Sequence, residues 1–487
     1  MPPIRSEIRF LLNGEDVAVA EVGASDTLLD WLRLTRRMTG TKEGCAEGDC
    51  GACTVLVGRL AGGALRYEPV NACIRFLASV NGCHVVTVEH LAGADGALHP
   101  VQQAMVDCHG SQCGFCTPGI VMALYALWMT TPEPTIDEIE TALQGNLCRC
   151  TGYAPIIRAA QAAGRYGAPG ADPLVAERAQ ITDRLRILAD GCRVESGPAQ
   201  NRAILPADVE DVAALLIDMP QATIVAGATD VGLWVTKALR DISPAIFIGH
   251  LEALRRIETT PDALTLGAGV SYSDAAEALS AAFPHLAEYW ARIGGWQVRN
   301  AGTLGGNIAN GSPIGDTPPV LIALGATITL RRGSERRTLP LEAFFIEYGT
   351  QDRAPGEFVE SIHIPPPRAE TRHAAYKISK RRDEDISSVA AGFAVTVEAG
   401  IITDARLAYG GMAGIPKRAG HAEAALIGQP FTEASLIAAA DTLPRDFTPL
   451  TDWRASAGYR MTVARNLFRR FWLEQGEAAS DARLRRA

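Results

Sequence analysis

Cysteine is the residue type in this sequence whose spacing points most directly to chemistry. Ten of the eleven cysteines lie between residues 45 and 150 of a 487-residue chain. The first set consists of a triplet spaced x4 and x2, followed by one distant cysteine, namely Cys45, Cys50, Cys53 and Cys73. Thiolates ligate iron well, and this asymmetric spacing is typical of the four ligands of a 2Fe–2S cluster.

The residues between these cysteines support the interpretation. Gly44, Gly48 and Gly51 let the backbone curl tightly and direct N–H groups at sulfide, which offsets the negative charge of a cluster. The alternatives are a zinc site or buried free thiols, although zinc sites favour paired cysteines over an asymmetric triplet.

A second set of cysteines lies in sequence with helical periodicity. It combines a Cys-x2-Cys pair, Cys113 and Cys116, with a Cys-x-Cys pair, Cys148 and Cys150. Pro118 suits the first turn of a helix, whose positive end would favour an anionic cluster. Four cysteines so spaced could equally bind tetrahedral zinc, but the neighbouring set favours a second 2Fe–2S cluster.

Composition bounds the class of protein. The chain is 47% hydrophobic and 21% charged, with a net charge of −9, which predicts about three globular domains and disfavours a nucleic-acid partner. Its longest apolar run is too short for a membrane helix, and no secretory signal is visible near Met1. We therefore expect a cytoplasmic protein with reduced thiols.

The elements that must position the cysteines can be outlined from periodicity. An Asn13-Gly14 hairpin and a helix over residues 27–34 predict a small β-rich domain, and four helical stretches follow it. The predicted divisions are a β-rich domain over 1–90, a helical domain over 91–165, a linker with one helical stretch over 166–204, α+β domains over 205–366 and 367–475, and a tail over 476–487.

Two glycine-rich stretches in the middle of the chain, residues 224–231 and 301–316, remain to be explained. Their backbone N–H groups and small polar side chains could hold a pyrophosphate, or each stretch could be a structural turn. A GxGxxG fingerprint and a Walker A motif are absent from the sequence, so any nucleotide would bind without a Rossmann loop. The nine histidines show no ligand spacing and are assigned no role.

Five stretches together resemble a known family. They are residues 45–73, 110–119, 145–153, 303–316 and 379–386, and they resemble the molybdenum hydroxylases, in particular the small subunits of bacterial xanthine dehydrogenases. The resemblance implies a multidomain α+β fold with a β-grasp ferredoxin-like domain, an all-α 2Fe–2S domain, an α+β FAD-binding domain and an α+β C-terminal flavoprotein domain.

The resemblance also implies roles for individual residues. The first cysteine set would hold the cluster nearer the flavin and the second the cluster nearer a molybdopterin, with Gln112 at the pterin edge. FAD would be bound by Ile224, Val225, Ala226, Gly227, Ala228, Thr229, Asp230, Val231, Gly302, Thr303, Gly306, Asn307, Asn310, Asp316, Val359 and Lys377. The loop over residues 379–386 would border the flavin face where NAD docks, with gating by Lys377, Asp383, Glu384 and Asp385.

One departure concerns the flavin ring. The family often has an aromatic residue where this sequence has Ile293, so either Trp290 or Trp296 substitutes for it or the flavin is held differently.

The activity implied is electron transfer to NAD in xanthine oxidation. The molybdopterin would lie on a large partner subunit, in a two-by-two heterotetramer. The alternatives are the same role with aldehydes or other N-heterocycles as substrates, and a non-catalytic iron–sulfur redox sensor.

Overall fold

The computed structural model describes residues 2–93 and 96–475, which form two compact units. The first unit takes in the chain up to Leu254 together with Gly294–Gly302. The second takes in Arg255–Ile293 and the chain from Thr303 onward. The architecture is multidomain α+β, as the sequence predicts. The predicted tail over 476–487 lies outside the described residues.

The first unit begins with a mixed β-sheet. Its strands lie side by side in the order Glu15–Val19, Ile8–Leu12, His84–Val86, Thr54–Ala61 and Ala64–Asn71. The predicted hairpin is confirmed, with Asn13 and Gly14 at positive φ in the turn, although its second strand is shorter than expected. The predicted helix over 27–34 is one α turn, Leu28–Asp30, which continues as a wider π turn, Trp31–Thr35.

The helical part of this unit contains the four helices that the sequence predicts. Its helices are Pro100–Asp107, Thr117–Thr130, Ile136–Ala142 and Ala154–Ala162. Thr135 and Glu138 form a reciprocal capping box that fixes the start of the third helix. Residues 119–128 are all buried, so the second helix is apolar on every side and forms the centre of this core.

The segment over 166–204, predicted as a linker with one helical stretch, is more ordered than that. It contains the helices Pro173–Ala176 and Arg178–Leu188 and the strands Arg193–Ser196 and Ala203–Leu205. The two strands join a sheet in the order Ile4–Arg5, Arg193–Ser196, Ala203–Leu205, Ala245–Phe247 and Thr223–Val225. Composition did not reveal these two strands, because each is only three or four residues long and a polar turn separates them.

Three further helices complete the first unit. They are Val209–Asp218, Val231–Thr236 and Trp296–Ala301, with a 3-10 turn at Glu252–Arg255. Asp208 caps the first of them by accepting from Asp211 N.

The second unit contains two sheets and a small hairpin. One sheet has the order Ile257–Thr259, Leu264–Gly267, Phe358–Ile364, Thr327–Arg332 and Glu335–Pro340, and the hairpin pairs Phe345–Glu347 with Thr350–Gln351. The C-terminal sheet has the order Thr371–Ile378, Val389–Glu398, Ile401–Gly410 and Lys417–Arg418. The helices are Tyr272–Ala282, Ala287–Ala291, Leu304–Asn310, Thr317–Ala323, Leu341–Phe344, Gly420–Leu426, Glu433–Ala440 and Ala457–Glu474, with 3-10 turns at Pro284–Leu286 and Leu443–Arg445.

Phe393 lies at the centre of the C-terminal core. Its ring makes edge contacts with Tyr376, Tyr409, Phe468 and Phe471, at centroid distances of 5.2–5.8 Å. Such contacts fix the long C-terminal helix against the sheet. Among the described residues, none of the helices combines the length and the apolar character that crossing a membrane requires.

The buried His84 makes the stability of the first unit depend on pH. The ring is fully buried, its Nε2 accepts from Gly14 N at 3.2 Å and its Nδ1 lies 2.8 Å from the Tyr67 hydroxyl. Burial lowers the pKa of His84 from 6.5 to about 3. Because the unfolded chain takes up the proton first, this site loses stability as the pH falls from 6.5 towards 3.

We expect His84→Gln to reduce this loss. Between pH 7 and pH 5 the wild-type free energy of unfolding should fall by about 2 kcal/mol more than that of the variant. Denaturant titrations at both pH values measure the difference. Replacing the exposed His109 with Gln is the control, and equal pH dependence in wild type and His84→Gln would contradict the assignment.

Candidate functional site

The first cysteine set converges on one loop in the first unit. The Cys45 sulfur contacts those of Cys50 and Cys73, and Cys53 contacts Cys73. The backbone N–H groups of Glu47 and Cys50 point at the Cys45 sulfur, at 3.5 and 3.4 Å. The loop therefore directs donors at sulfur, as the glycine pattern predicts.

The electrostatics of this loop favour thiolate at two positions. Contacts with Cys50 and then Cys73 lower the pKa of the Cys45 thiol, and a contact with Cys73 lowers the pKa of Cys53. The thiolate is the form that binds metal. Cys53 and Cys73 are 2% exposed, whereas Cys45 and Cys50 are half-buried.

The second cysteine set also comes together. Cys116 contacts Cys148, and Cys113 contacts Cys150. Cys116 immediately precedes the Thr117–Thr130 helix, at the end where the N–H groups of the first turn have no partner within the helix. Burial opposes ionisation of Cys148, but hydrogen bonds from Thr151, whose hydroxyl lies 3.2 Å from the sulfur, lower its pKa overall.

The donor chemistry of both sets fits an iron–sulfur cluster. Sulfur contacts link Cys45 with Cys50 and Cys73, Cys53 with Cys73, Cys116 with Cys148 and Cys113 with Cys150. Four cysteine thiolates are the ligands of a 2Fe–2S cluster, and they are also a ligand set of tetrahedral zinc.

The two cysteine sets differ in exposure. Cys113 and Cys150 are exposed, and so are Phe115 and Leu147 beside them, at 47% and 49%. Gln112 is also exposed. The first set is shielded on its Cys53 and Cys73 side, so only the second set presents thiols together with apolar side chains at the surface of its unit.

The expected flavin residues 224–231 and Gly302 lie in the first unit. The strand Thr223–Val225 enters a turn at residues 226–230, and the helix Val231–Thr236 follows it. A Cβ at Gly227 would overlap the Ala301 carbonyl oxygen, so glycine is required for this turn to lie against residues 301–302. The full set comprises Ile224, Val225, Ala226, Gly227, Ala228, Thr229, Asp230, Val231 and Gly302.

The Val231–Thr236 helix also lies against the first cysteine loop. The Thr236 hydroxyl donates to the Ala46 carbonyl at 2.7 Å, and the Lys237 ammonium donates to the Cys45 carbonyl. Gly232 packs on Ile74, next to Cys73. One short helix therefore connects the turn expected to bind flavin with the loop expected to bind a cluster.

The remaining expected flavin residues lie in the second unit. They are Thr303, Gly306, Asn307, Asn310, Asp316, Val359 and Lys377. Thr303 caps the Leu304–Asn310 helix by accepting from Gly306 N at 3.1 Å. Asn307 Oδ1 accepts from the Thr317 hydroxyl at 2.5 Å, which joins this helix to the next. Val359 is buried in the core.

Asp316 and Lys377 form a buried ion pair. Lys377 Nζ lies 2.6 Å from Asp316 Oδ2 and 3.1 Å from the Ser387 hydroxyl, which itself donates to Asp316 Oδ1 at 2.6 Å. The Lys377 side chain is 1% exposed. Lys377 is thus a fixed, paired cation.

The loop over residues 379–386 is tethered by Arg292. The Arg292 guanidinium donates to the Lys377 carbonyl at 2.9 Å, the Ser379 hydroxyl at 3.3 Å and the Arg382 carbonyl at 3.3 Å. Within the loop, the Asp385 carboxylate accepts from Arg381 N at 2.7 Å. The acidic residues Asp383, Glu384 and Asp385 are half-buried in this loop rather than fully extended into solvent.

The aromatic candidates for flavin stacking both pack in apolar cores. Trp290 is 3% exposed in the core of the second unit, where Ile293 also lies. Trp296 is half-buried against the helical core of the first unit.

Sequence reasoning missed two groups. Ser387 completes the Asp316–Lys377 pair, and Arg292 holds the loop that follows Lys377. The sequence carried no signal for Arg292, because its partners are mostly backbone carbonyls that lie 85–90 positions away.

Known domain families match three stretches of the chain. The matches are a [2Fe-2S] binding domain over residues 87–161, an FAD binding domain in molybdopterin dehydrogenase over 199–367 and a CO dehydrogenase flavoprotein C-terminal domain over 374–475. Xanthine dehydrogenase of Emericella nidulans is 33% identical over 97% of this chain and 39% of its own length. Aldehyde oxidase 1 of Bos taurus is 32% identical over 89% and 36%.

The chain belongs to the molybdenum hydroxylases, as their iron–sulfur and FAD part. It spans 39% and 36% of the length of these two relatives. Two solved structures resemble part of the chain. A carbon monoxide dehydrogenase chain from Hydrogenophaga pseudoflava, in a form that lacks the Mo-pyranopterin moiety, has a TM-score of 0.52 at 29% identity, covering 55% of this chain and 93% of that one.

Quinoline 2-oxidoreductase from Pseudomonas putida 86 gives a similar match. Its TM-score is 0.50 at 26% identity, covering 57% of this chain and 96% of that one. The family matches therefore confirm a 2Fe–2S domain over the helical part of the chain and an FAD domain after it.

Replacing Gly232 tests the contact between helix and cysteine loop. Alanine normally stabilises a helix relative to glycine by about 0.5–1 kcal/mol. At Gly232, however, a Cβ would come within 2.7 Å of Ile74 Cβ and 2.9 Å of its carbonyl oxygen, so we expect Gly232→Ala to destabilise the protein by about 1–3 kcal/mol.

Gly458→Ala is the matched control for that measurement. Gly458 is also the second residue of its helix, and a Cβ there would meet nothing within 4 Å. Unfolding midpoints should move in opposite directions for the two variants. A stabilised Gly232→Ala variant would show that the helix does not press on Ile74.

Proposed function

We propose that this chain is the electron-transfer and NAD-reducing subunit of a xanthine dehydrogenase. A molybdopterin-bearing partner subunit would oxidise hypoxanthine and xanthine to urate, in a two-by-two heterotetramer of cytoplasmic location. When bound, the two 2Fe–2S clusters and FAD supply one-electron and hydride chemistry that protein side chains cannot.

The observation that carries the proposal is the sequence of contacts that links the functional segments of the first unit. The second cysteine set is exposed at Cys113 and Cys150, and its loop contacts the first cysteine loop through the Leu147 N–H, which donates to the Cys50 carbonyl at 2.9 Å. The first set touches the helix that follows the turn at Gly227, through Thr236 and Lys237. The chain's residues thus form an unbroken series of contacts from a surface to the expected flavin turn.

The exposed edge of the second set supports a partner. Cys113 and Cys150 share the surface with Phe115 and Leu147, and apolar groups around a functional edge favour a protein interface. We propose that the molybdopterin subunit covers this edge, with Gln112 contacting the pterin.

We assign all eight cysteines of the two sets as cluster ligands, and the two groups of residues expected at the flavin as its binding residues. In the second unit Lys377 would present its ammonium to the flavin while Asp316 and Ser387 hold it in place. The loop tethered by Arg292 would border the site of NAD.

A second substrate class remains a candidate. The chain is 32% identical to aldehyde oxidase 1 of Bos taurus and resembles quinoline 2-oxidoreductase in structure. The same electron-transfer role could therefore serve a partner that oxidises aldehydes or other N-heterocycles.

The test is to purify the chain with its partner and measure NAD reduction. We expect four iron, four sulfide and one FAD per chain, and NAD reduction with xanthine in preference to an aldehyde or quinoline. Preference for either of the latter would select the second substrate class. Absence of iron or flavin would overturn the electron-transfer role itself.

Cys148→Ser tests the assigned direction of electron flow. Loss of a ligand to the second cluster should reduce xanthine-driven NAD reduction by about 10–100-fold or more, while NADH-driven dye reduction persists. Cys83→Ser, at a buried cysteine outside both sets, is the control. Equal loss of both activities without loss of protein would contradict the order.

Lys377→Met tests the buried ion pair. Removing the ammonium leaves the Asp316 carboxylate without its partner, a change that costs about 3–5 kcal/mol at fully buried pairs. We expect the ratio of FAD to iron in the purified protein to fall while iron per chain is unchanged. Lys380→Met, at an exposed position of the neighbouring loop, should retain both, and an unchanged FAD ratio in Lys377→Met would exclude the assigned role.

A further inference from the structure

Three buried polar side chains meet between the two cysteine loops, within the first unit. They are Thr54, Asn146 and Gln297, which are 2%, 3% and 0% exposed. Thr54 follows Cys53, Asn146 lies two residues before Cys148, and Gln297 is the second residue of the Trp296–Ala301 helix. We refer to these three residues as the amide cluster.

Hydrogen bonds join the amide cluster to the backbone of the first cysteine loop. The Gly51 carbonyl accepts from the Thr54 hydroxyl at 2.6 Å and from Asn146 Nδ2 at 3.1 Å. Gln297 Nε2 donates to Asn146 Oδ1 at 2.8 Å and to the Thr54 hydroxyl oxygen at 3.1 Å. Asn146 Nδ2 also lies 3.4 Å from the Thr54 hydroxyl oxygen, so these two side chains contact each other directly, and the Gln297 amide bonds both of them.

The orientation of each amide follows from these partners. Because the Asn146 NH2 is used by the Gly51 carbonyl, its Oδ1 must accept, and the NH2 of Gln297 must donate. The Gln297 Oε1 is then left buried without a hydrogen-bond partner. A buried acceptor without a partner is costly and calls for a functional explanation.

The position of Oε1 also constrains the second cysteine loop. A Cβ at Gly145 would overlap Gln297 Oε1, so the loop and the glutamine fit together only because residue 145 is glycine. The loop is therefore held from two directions: the Gln297 donors engage Asn146, and its oxygen packs on Gly145.

The helix that carries Gln297 extends this contact to the expected flavin turn. Its last residue, Ala301, has its carbonyl oxygen against Gly227. One helix of six residues thus touches both cysteine loops at its start and the Gly227 turn at its end.

We propose that Gln297 is a positioning residue for electron transfer. It fixes the separation of the two iron–sulfur sites by bonding Thr54 of one cysteine loop and Asn146 of the other, and it ties both to the helix that meets the flavin turn. The proposal rests on the proposed function, since it requires both cysteine sets to hold clusters.

Gln297→Met keeps the side-chain shape and removes both donors. The matched control is Asn300→Leu on the same helix, because Asn300 is 8% exposed and its Nδ2 donates to the Pro69 carbonyl of the Ala64–Asn71 strand at 3.0 Å rather than to the amide cluster. Both variants lose a buried amide, so both should lose thermal stability. Thr54→Val, which removes one hydroxyl from the amide cluster, is a milder second variant should Gln297→Met fail to fold.

The decisive readout is electron paramagnetic resonance of the dithionite-reduced holoprotein. Two reduced clusters relax each other to a degree that depends steeply on their separation. We expect Gln297→Met and Thr54→Val to change the power saturation of the cluster signals at four iron per chain, and Asn300→Leu to leave it as in wild type. Stopped-flow reduction of the second cluster by NADH should slow by about 10-fold in Gln297→Met.

Two other outcomes are distinguishable. Unchanged saturation and unchanged reduction rate in Gln297→Met and Thr54→Val, with clusters intact, would make Gln297 a purely structural residue and overturn this inference alone. Absence of two reducible iron–sulfur signals in the wild-type protein would overturn the proposed function and this inference with it.

Discussion

The backbone contact between the two cysteine loops is the constraint on which the rest of the first unit depends. Leu147 N donates to the Cys50 carbonyl at 2.9 Å, so the backbones of the two loops are in direct hydrogen-bonding contact at this point. The first loop carries Cys45, Cys50 and Cys53, and the second carries Cys148 and Cys150, so each loop also has to orient several of the sulfurs. A shift in either loop would therefore have to be accommodated by the ligands themselves, which makes the buried polar groups beside this contact unusually consequential.

In the second unit, a buried ion pair holds separate structural elements together. There the residues expected at the flavin are spread over several elements, and a buried Asp316–Lys377 pair with Ser387 fixes three of those elements to one another. A buried pair is weak evidence for stability, since desolvation opposes it. Its value lies in specifying one arrangement of the lysine, which suits a cation that must be presented in a fixed position.

The features that could be predicted from the sequence are those with a strong local pattern. Cysteine spacing identified both sulfur sets, because ligand chemistry imposes spacing directly, and the Asn13-Gly14 turn and the four helices had strong local signals. The strands Arg193–Ser196 and Ala203–Leu205 were missed because three or four residues carry too little periodicity to stand out from a polar segment.

The amide cluster and Arg292 were beyond local reasoning for another reason. Gln297 and Asn146 are separated by 151 positions, and nothing in the local sequence of a short helix indicates that its glutamine bonds a buried side chain. Arg292 bonds mainly backbone carbonyls, which any sequence supplies. Such contacts become visible only when the chain's long-range pairing is known.

The segment Gly294–Gly302 has a consequence for how the gene could be divided. Although flanked on both sides by residues of the second unit, it packs in the first, so the two units are not consecutive stretches of polypeptide. A fragment ending at Leu254 would lack the helix that brings Gln297 to Asn146, and would have to bury that amide without its partner. Splitting the protein into separately encoded iron–sulfur and flavin chains would therefore require this short segment to dock in trans, as one chain's contribution to the interior of another.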